Sequence, residues 1–318
     1  MNSINTNASA MTALAWLNQT NKMLNDTQNA ISTGYSVAEA SDNAAYWSIA
    51  TEMRSDNKAL STVQDALGLG AATVDVAYTG VESALDVTDE IKKKLVAARE
   101  PGVDRGKIQS EIDELQNQLT SIGESASFSG ENWLSVDSSD ASYNATKSIV
   151  SSFNRASDGS VSVATIDINA NGTKLFDSSA AVGADGIIDD ARANSAAAVD
   201  EGDASTFFRI STMDISSLTD SAADLSTLDF YISGVDSAVS ELTTAATDLG
   251  SAKSRIDMQT EFVGGLMDAI DKGVSHLVDA DLNEESTKLK ALQAQQQLGI
   301  QALSIANSNS QNILSLFR

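Results

Sequence analysis

Apolar residues recur between residues 228 and 277 at alternating spacings of four and three: Leu228, Ile232, Val235, Val239, Leu242, Ala246, Leu249, Ile256, Val263, Met267, Ile270, Val274 and Leu277. Only Lys253 and Thr260 interrupt the series. A heptad seam of this length predicts a helix packed along its whole course against partners in a left-handed supercoil. About fifty helical residues span roughly 75 Å. The first half of the chain mirrors the pattern with Tyr46, Ile49, Met53, Leu60, Val63, Leu67, Val74, Ala77, Val81, Ala84, Ile91 and Leu95. Pro101-Gly102 ends that run, and Asp104 stands ready as the next N-cap. A third apolar face follows at Ile108, Ile112, Leu115, Leu119 and Ile122. The short loop makes the first two seams antiparallel neighbours, and the segment near 228–280 completes a three-helix bundle. Its expected core includes Leu60, Val63, Leu67, Val74, Ile91, Leu95, Ile112, Leu115, Leu119, Val239, Leu242, Leu249, Ile256, Val263 and Ile270.

The heptads vanish over residues 135–225. Short alternating stretches at Val161, Val163, Ile166 and Ile168, and again at Phe208, Ile210 and Ile215, are strand signals among Asp, Asn, Gly and Ser turns. The expectation is an inserted, exposed, partly β subdomain, with local disorder as the other reading. The fold class is therefore mainly α: a long antiparallel heptad-patterned bundle with paired terminal helices and a small, partly β outer insert. The pattern divides the chain into 1–43 with 283–318, 44–134 with 226–282 (bearing a short β-hairpin), and 135–225.

The two ends carry a third pattern. Ile4, Met11, Leu14, Leu17, Leu24 and Ile31 lie in the N-terminal segment; Leu289, Leu292, Leu298, Leu303, Ile305, Ile313, Leu314, Leu316 and Phe317 lie in the C-terminal one. In the C-terminal segment they spread over several sides of a helix, which implies several packed neighbours. Either the ends order only when many copies assemble, or they pack on the chain's own bundle.

Composition sharpens this division. Of a net charge of −24, residues 1–45 hold −2 and residues 286–318 hold +3, which leaves −25 for the middle. So acidic a chain is repelled by phosphate backbones and anionic lipid, and no nucleic-acid partner is expected. No stretch approaches the eighteen apolar residues of a spanning helix, so no membrane insertion is expected either. The first residues hold no basic, apolar leader, so no cleaved signal peptide is expected. A single proline where average usage gives roughly sixteen suits very long helices.

Chemistry finds little foothold. There is no cysteine, and His276 is the only histidine. Asp279 to Glu285 opens like a calcium loop, but Glu284 replaces the turn glycine and Lys290 the bidentate acid. A helix boundary with Asp281 as N-cap and Glu284 in a capping box accounts for it better. Gly68 and Gly70 lie within a heptad seam, where they permit close helix approach or bending. Lys92-Lys93-Lys94 reads as a solvated helix face. No catalytic, cofactor or metal site is expected.

Specific motifs at both ends resemble one family. Ile4-Asn5-Thr6-Asn7, Ser32-Thr33-Gly34, Asp42-Asn43-Ala44-Ala45 and Ile49-Ala50 are similar to the N-terminal signature of bacterial flagellins. Phe128-Ser129-Gly130-Glu131-Asn132 resembles the family's Phe-Asn-Gly turn, and Ala280-Asp281 with Glu284-Glu285 and Gln311 to Arg318 the C-terminal signature. The divergent ends most resemble the rhizobial, alphaproteobacterial kind. The resemblance implies a structural subunit of the flagellar filament, with terminal helices in the inner core, the bundle outside them and the insert facing solvent. It implies partners in copies of itself, sister flagellins, an export chaperone, and cap and hook-junction proteins, with type III export and no cofactor. The alternatives are a hook–filament junction protein and a coiled-coil adhesin or secretion-tip protein.

Overall fold

A computed structural model of the chain describes residues 7–156, 158–179, 185–193 and 207–315, with side chains as far as residue 308. In chain order these residues form helices α1 (Ala8–Thr33), α2 (Ala44–Ala98) and α3 (Arg105–Ser125). Strands β1 (Ser127–Phe128), β2 (Glu131–Asn132), β3 (Ser135–Val136), β4 (Thr146–Arg155), β5 (Val161–Asn169), β6 (Phe176–Asp177), β7 (Arg192–Ala193) and β8 (Phe207–Phe208) follow. Helices α4 (Ala222–Val278) and α5 (Leu282–Ser315) complete the order. The chain divides into two compact units: residues 59–265, and residues 1–58 with 266–318.

In the first unit α2 and α4 run antiparallel. Ion pairs join Asp75 to Lys253 and Lys92 to Asp236, and Arg99 reaches Asp229 at 2.7 Å. The Tyr78 ring lies against Gly250. Along these pairs the residue number rises on α2 by the same steps as it falls on α4. Exposed pairs of this kind contribute little energy but hold the register. Beneath them lies an unbroken seam on α2: Leu60, Val63, Leu67, Val74, Ala77, Val81, Ala84, Ile91, Leu95 and Ala98 are all buried. Thr88 fills one buried position by donating its hydroxyl to Ala84 O at 2.7 Å.

On α4 the buried column is Leu228, Val235, Ala238, Leu242, Ala245, Leu249, Ala252, Ile256 and Val263. Val239 and Ala246 are only half-buried, and Lys253 reaches out to Asp75. The expected seam was displaced by one residue in its alternate positions. Alanine at those positions lets the helices approach closely, and the larger Val239 flanks the contact. On α3, Ile112 and Leu119 are buried and Leu115 half-buried. Two lysines of the basic run are not a free solvated face: Lys92 binds α4 through Asp236, and Lys94 binds Glu111 of α3 at 2.6 Å.

At the α2–α3 turn Gly102 takes a positive φ of 80°. Asp104 holds the N-cap position without capping through its side chain. Arg105, nearly buried, instead binds Ala98 O at 3.1 Å, Leu218 O at 3.3 Å and Asp220 at 2.7 Å. Its guanidinium, followed by the Gly102 amide, lowers the Asp220 carboxyl pKa.

After α3, β1 and β2 pair around Ser129 and Gly130, whose φ values of 54° and 85° fit the hairpin turn that needs two left-handed residues. The insert then covers the helices. β4 and β5 form an antiparallel hairpin with a register shift between Val150 and Ser152. β3 pairs with β6 in parallel, and β7 pairs with β8 antiparallel. Strand β5 contains all four residues of the first alternating signal. The second signal is different: Phe208 is in a strand, but Ile210 starts a 3-10 turn, Ile210–Thr212. The reason lies on α3. Gln109 donates to Met213 O and accepts from Ile215 N, and Gln116 donates to Ile210 O and Met213 O. Two buried glutamine side chains thus take hydrogen bonds that a neighbouring strand would otherwise supply.

Glycines on the helices seat apolar side chains from the insert and from Leu134 just before it. A Cβ at Gly70 would collide with Ile149, one at Gly80 with Leu134, one at Gly123 with Phe176 and one at Gly234 with Phe208. Gly70 therefore serves a strand residue rather than a neighbouring helix. At Gly68 nothing lies within 4 Å of such a Cβ. Gly70→Ala should destabilise the chain by about 1–3 kcal/mol through overpacking, outweighing a helix-propensity gain of about 1 kcal/mol. Gly68→Ala should stabilise it by about 0.5–1 kcal/mol. Thermal unfolding of the two variants reads the contrast; a Gly70→Ala protein as stable as Gly68→Ala would refute the seat.

Candidate assembly surface

The second unit contains α1, α5 and the neighbouring ends of α2 and α4. Asn7 caps α1, its Oδ1 accepting from Ala10 N at 3.0 Å. Its Nδ2 donates to Ala306 O of α5 at 2.9 Å, so one side chain starts α1 and ties it to α5. Farther along, Gln296 donates to Asn21 Oδ1 at 2.7 Å, and the two helices are antiparallel. Gly34, at φ 78°, ends α1, and its carbonyl accepts from Ala280 N. Ser36 N donates to Val278 O at 2.7 Å, and Tyr35 forms a β-bridge with Asp279. Asn43 accepts from Ala45 N and Tyr46 N, each at 3.2 Å, at the start of α2. Asp281 accepts from Asn283 N at 2.8 Å and Glu284 N at 3.3 Å and so caps α5.

A small core joins these pieces. Val37, Ala50, Val274 and Val278 are buried together, with Met53, Ile270 and Leu277 packed against them. It selects the Ala50 face of α2, so Tyr46 and Ile49, expected in the seam, are 46% and 47% exposed.

The α1–α5 pair buries only a narrow stripe. Thr20, Thr27 and Leu292 are buried; Leu17, Leu24, Ile31, Leu289 and Leu303 are half-buried. The two threonines add little apolar area, so the pair by itself has a weak seam. Met11 (65% exposed), Leu14 (48%), Leu298 (63%) and Ile305 (62%) remain open to solvent, as do Trp16, Met23, Leu282 and Ile300. A groove of about 720 Å³ is lined by Ala13, Trp16, Leu298, Gly299 and Ala302, among others. Of the other terminal residues singled out by sequence, Ile313 and Leu314 belong to α5, with side chains outside the described ones. Ile4, Leu316 and Phe317 lie outside the described residues. Sequence pattern missed Trp16, which falls between the heptad columns; its apolar character on an otherwise polar face was the available signal. It also missed Asn7, whose cap signal precedes an alanine-rich turn.

Among the described residues no group of three or more His, Cys, Asp or Glu is placed to hold a metal ion, and no helix is long and apolar enough to cross a membrane. A mainly helical chain that leaves this apolar surface open on its terminal helices has the build of a structural protein that associates with other protein surfaces. Comparison with known proteins says which. Residues 4–139 match the bacterial flagellin N-terminal helical region and residues 232–317 the C-terminal helical region. The chain is 53% identical over 328 residues to flagellin C of Rhizobium meliloti (strain 1021), 46% over 399 residues to flagellin A of Rhizobium meliloti, and 46% over 319 residues to a flagellin of Brucella melitensis biotype 1. Both chains are covered completely in each case. The chain belongs to the bacterial flagellin family, and is a structural subunit of the extracellular flagellar filament that assembles with copies of itself and sister flagellins.

Proposed function

We propose that the exposed apolar residues of α1 and α5 are where copies join. The observation that carries this reading is the exposure of Met11, Leu14, Trp16, Leu298, Ile300 and Ile305 on two helices whose mutual seam fully buries only Thr20, Thr27 and Leu292. Neighbouring copies would cover this surface, together with the C-terminal residues Ile313, Leu314, Leu316 and Phe317. In this reading residues 1–43 and 283–318 form the inner core of the filament, 44–134 with 226–282 surround it, and 135–225 face solvent. The near-neutral ends and the −25 of residues 46–285 support that arrangement, because charge is costly inside a packed tube and favourable outside it. The subunit acts mechanically and without catalysis. It leaves the cell through the flagellar export channel, accompanied by an export chaperone. It is then placed by the cap beyond the hook-junction proteins.

Leu298→Ala and Ile305→Ala test the surface. Each removes a side chain whose burial contributes about 1.5–3 kcal/mol, so each should raise the critical concentration for seeded polymerisation about tenfold or more. Circular dichroism of the monomer should be unchanged. Val161→Ala, in the insert, serves as the control and should polymerise normally. Unchanged critical concentrations for both α5 variants would exclude these residues from the contact.

A further inference from the structure

We infer that Asn171 is a site of spontaneous deamidation whose product carboxylate falls at the rim of a carboxylate-lined cavity between the insert and α4. The sequence contains a single Asn-Gly pair, Asn171-Gly172. Both residues are exposed, and nothing lies within 4 Å of where a Gly172 Cβ would stand. They lie in a three-residue 3-10 turn, Ala170–Gly172. It is closed by Thr173 N to Ala170 O at 3.2 Å and Lys174 N to Ala170 O at 3.1 Å, and Asn169 Oδ1 accepts from Asn171 N at 3.0 Å. The flanking Ala170 and Thr173 are buried, whereas Asn171 and Gly172 are exposed, and a glycine lets the backbone nitrogen swing toward the preceding side chain.

The Asn171 amide is also polarised. Tyr143 donates its hydroxyl to Asn171 Oδ1 at 2.9 Å, drawing electrons from Cγ. Burial and then the charge of Asp177 push the Tyr143 pKa up, so the donor keeps its proton to higher pH than an ordinary tyrosine. Solvent hydroxide removes the Gly172 amide proton and the nitrogen attacks Asn171 Cγ. The N–Cγ bond forms, the Cγ–Nδ2 bond breaks, and ammonia leaves after taking a proton from water. Water then opens the cyclic imide. Adding at Cγ gives aspartate; adding at the backbone carbonyl gives isoaspartate with the chain rerouted through the side chain. The net change is one amide and one water to one carboxylate and one ammonium ion.

The product is not neutral for the fold. Asn171 lines a cavity of about 310 Å³ together with Asp185, Asp190, Glu241 and Thr244. Glu241, on α4, holds the insert through Arg192, at 2.8 and 3.2 Å. Arg192 also lies 3.7 Å from Asp190, and Arg209 pairs with Asp185 at 2.7 Å. A further carboxylate at position 171 repels the three acids already there and loosens the insert.

The test ages the full-length protein in mildly alkaline buffer and maps tryptic peptides by mass spectrometry. The peptide ending at Lys174 should gain the mass of amide-to-acid conversion at Asn171, with isoaspartate the larger product. Exposed Asn144, followed by alanine, should lag behind it by about tenfold or more. Gly172→Ala should slow the reaction at Asn171 to the Asn144 rate. Asn171→Asp should lower the melting temperature at neutral pH. Conversion no faster than at Asn144, or unaffected by Gly172→Ala, would overturn the assignment. An unchanged melting temperature for Asn171→Asp would overturn the loosening.

Discussion

A chain lacking residues 1–40 and 286–318 is expected to be a folded, helical, soluble monomer that no longer polymerises. The deletion removes α1 and nearly all of α5, and with them every exposed apolar residue on which assembly is proposed to rest. It leaves residues 59–265 intact, including the buried columns of α2 and α4, the Arg105 clasp and the insert. Val37 is lost, so the small core of Ala50, Val274 and Val278 opens, and α2 and α4 should fray back toward Leu60. Circular dichroism should lose helix in proportion to the residues removed, and the melting transition of the remaining unit should persist. Electron microscopy after addition of wild-type seeds should show no elongation. Elongation at the wild-type rate would refute the role given to the ends, and loss of the cooperative transition would refute the autonomy of the unit.

The second large effect is expected inside the insert. Asp177 is buried and accepts from Lys174 at 2.5 Å, from Ser138 N at 2.9 Å and from Ser179 N at 3.0 Å. Its own amide donates to Asp189 Oδ2 at 3.0 Å. Burial pushes the Asp177 carboxyl up, but the Lys174 ammonium and the backbone donors outweigh it and leave the pKa below the ordinary value. Removing one member of a buried ion pair costs about 3–5 kcal/mol, so Asp177→Ala should unfold the β3–β6 region well below the melting point of the helices. Hydrogen exchange at Leu175 and Phe176, whose amides donate to Leu134 O, reports that opening. A difference below about 1 kcal/mol would show that the pair contributes nothing net.

The same carboxyl predicts a pH profile. A group with a depressed folded pKa stabilises above its unfolded pKa, about 3.9, and that stability is lost as pH falls through the folded value. Asp189 and Asp190 act oppositely, because burial raises both. Their cost is present at neutral pH and is relieved as pH falls through their folded values. Wild type should therefore gain insert stability on mild acidification and lose it below about pH 4. Asp177→Ala should keep the gain and show a smaller loss.

Much of the fold was legible because heptad spacing leaves little choice. On α2 every alternating position from Leu60 to Leu95 names a buried residue, since a helix with one apolar stripe can bury it in one way only. On α4 two registers competed. Val239 and Ala238 both continue the column through Val235 and Leu242, and hydrophobicity favours the valine. The structure favours the smaller residue, because what matters there is how near α2 can come. The insert was less legible for a different reason. Its hydrogen bonds go to Gln109 and Gln116, and its apolar residues dock on Gly70 and Gly234, none of which carries an apolar signal. Likewise Trp16 on α1 falls outside the heptad columns, so a reading by spacing passes over it although its apolar character on a polar face was there to be seen.

The equal steps by which α2 and α4 count past each other bear on how such a chain can change length. Seven residues added to α2 alone would carry Asp75, Lys92 and Arg99 past their partners and strand the glycine seats opposite the wrong strand of the insert. Seven added to both helices at facing points would restore every pair. Insertions and deletions in the two halves of the gene are therefore not independent. They are tolerated as matched heptads, far apart in sequence and face to face in space, whereas the loops of the insert are free to lengthen one residue at a time.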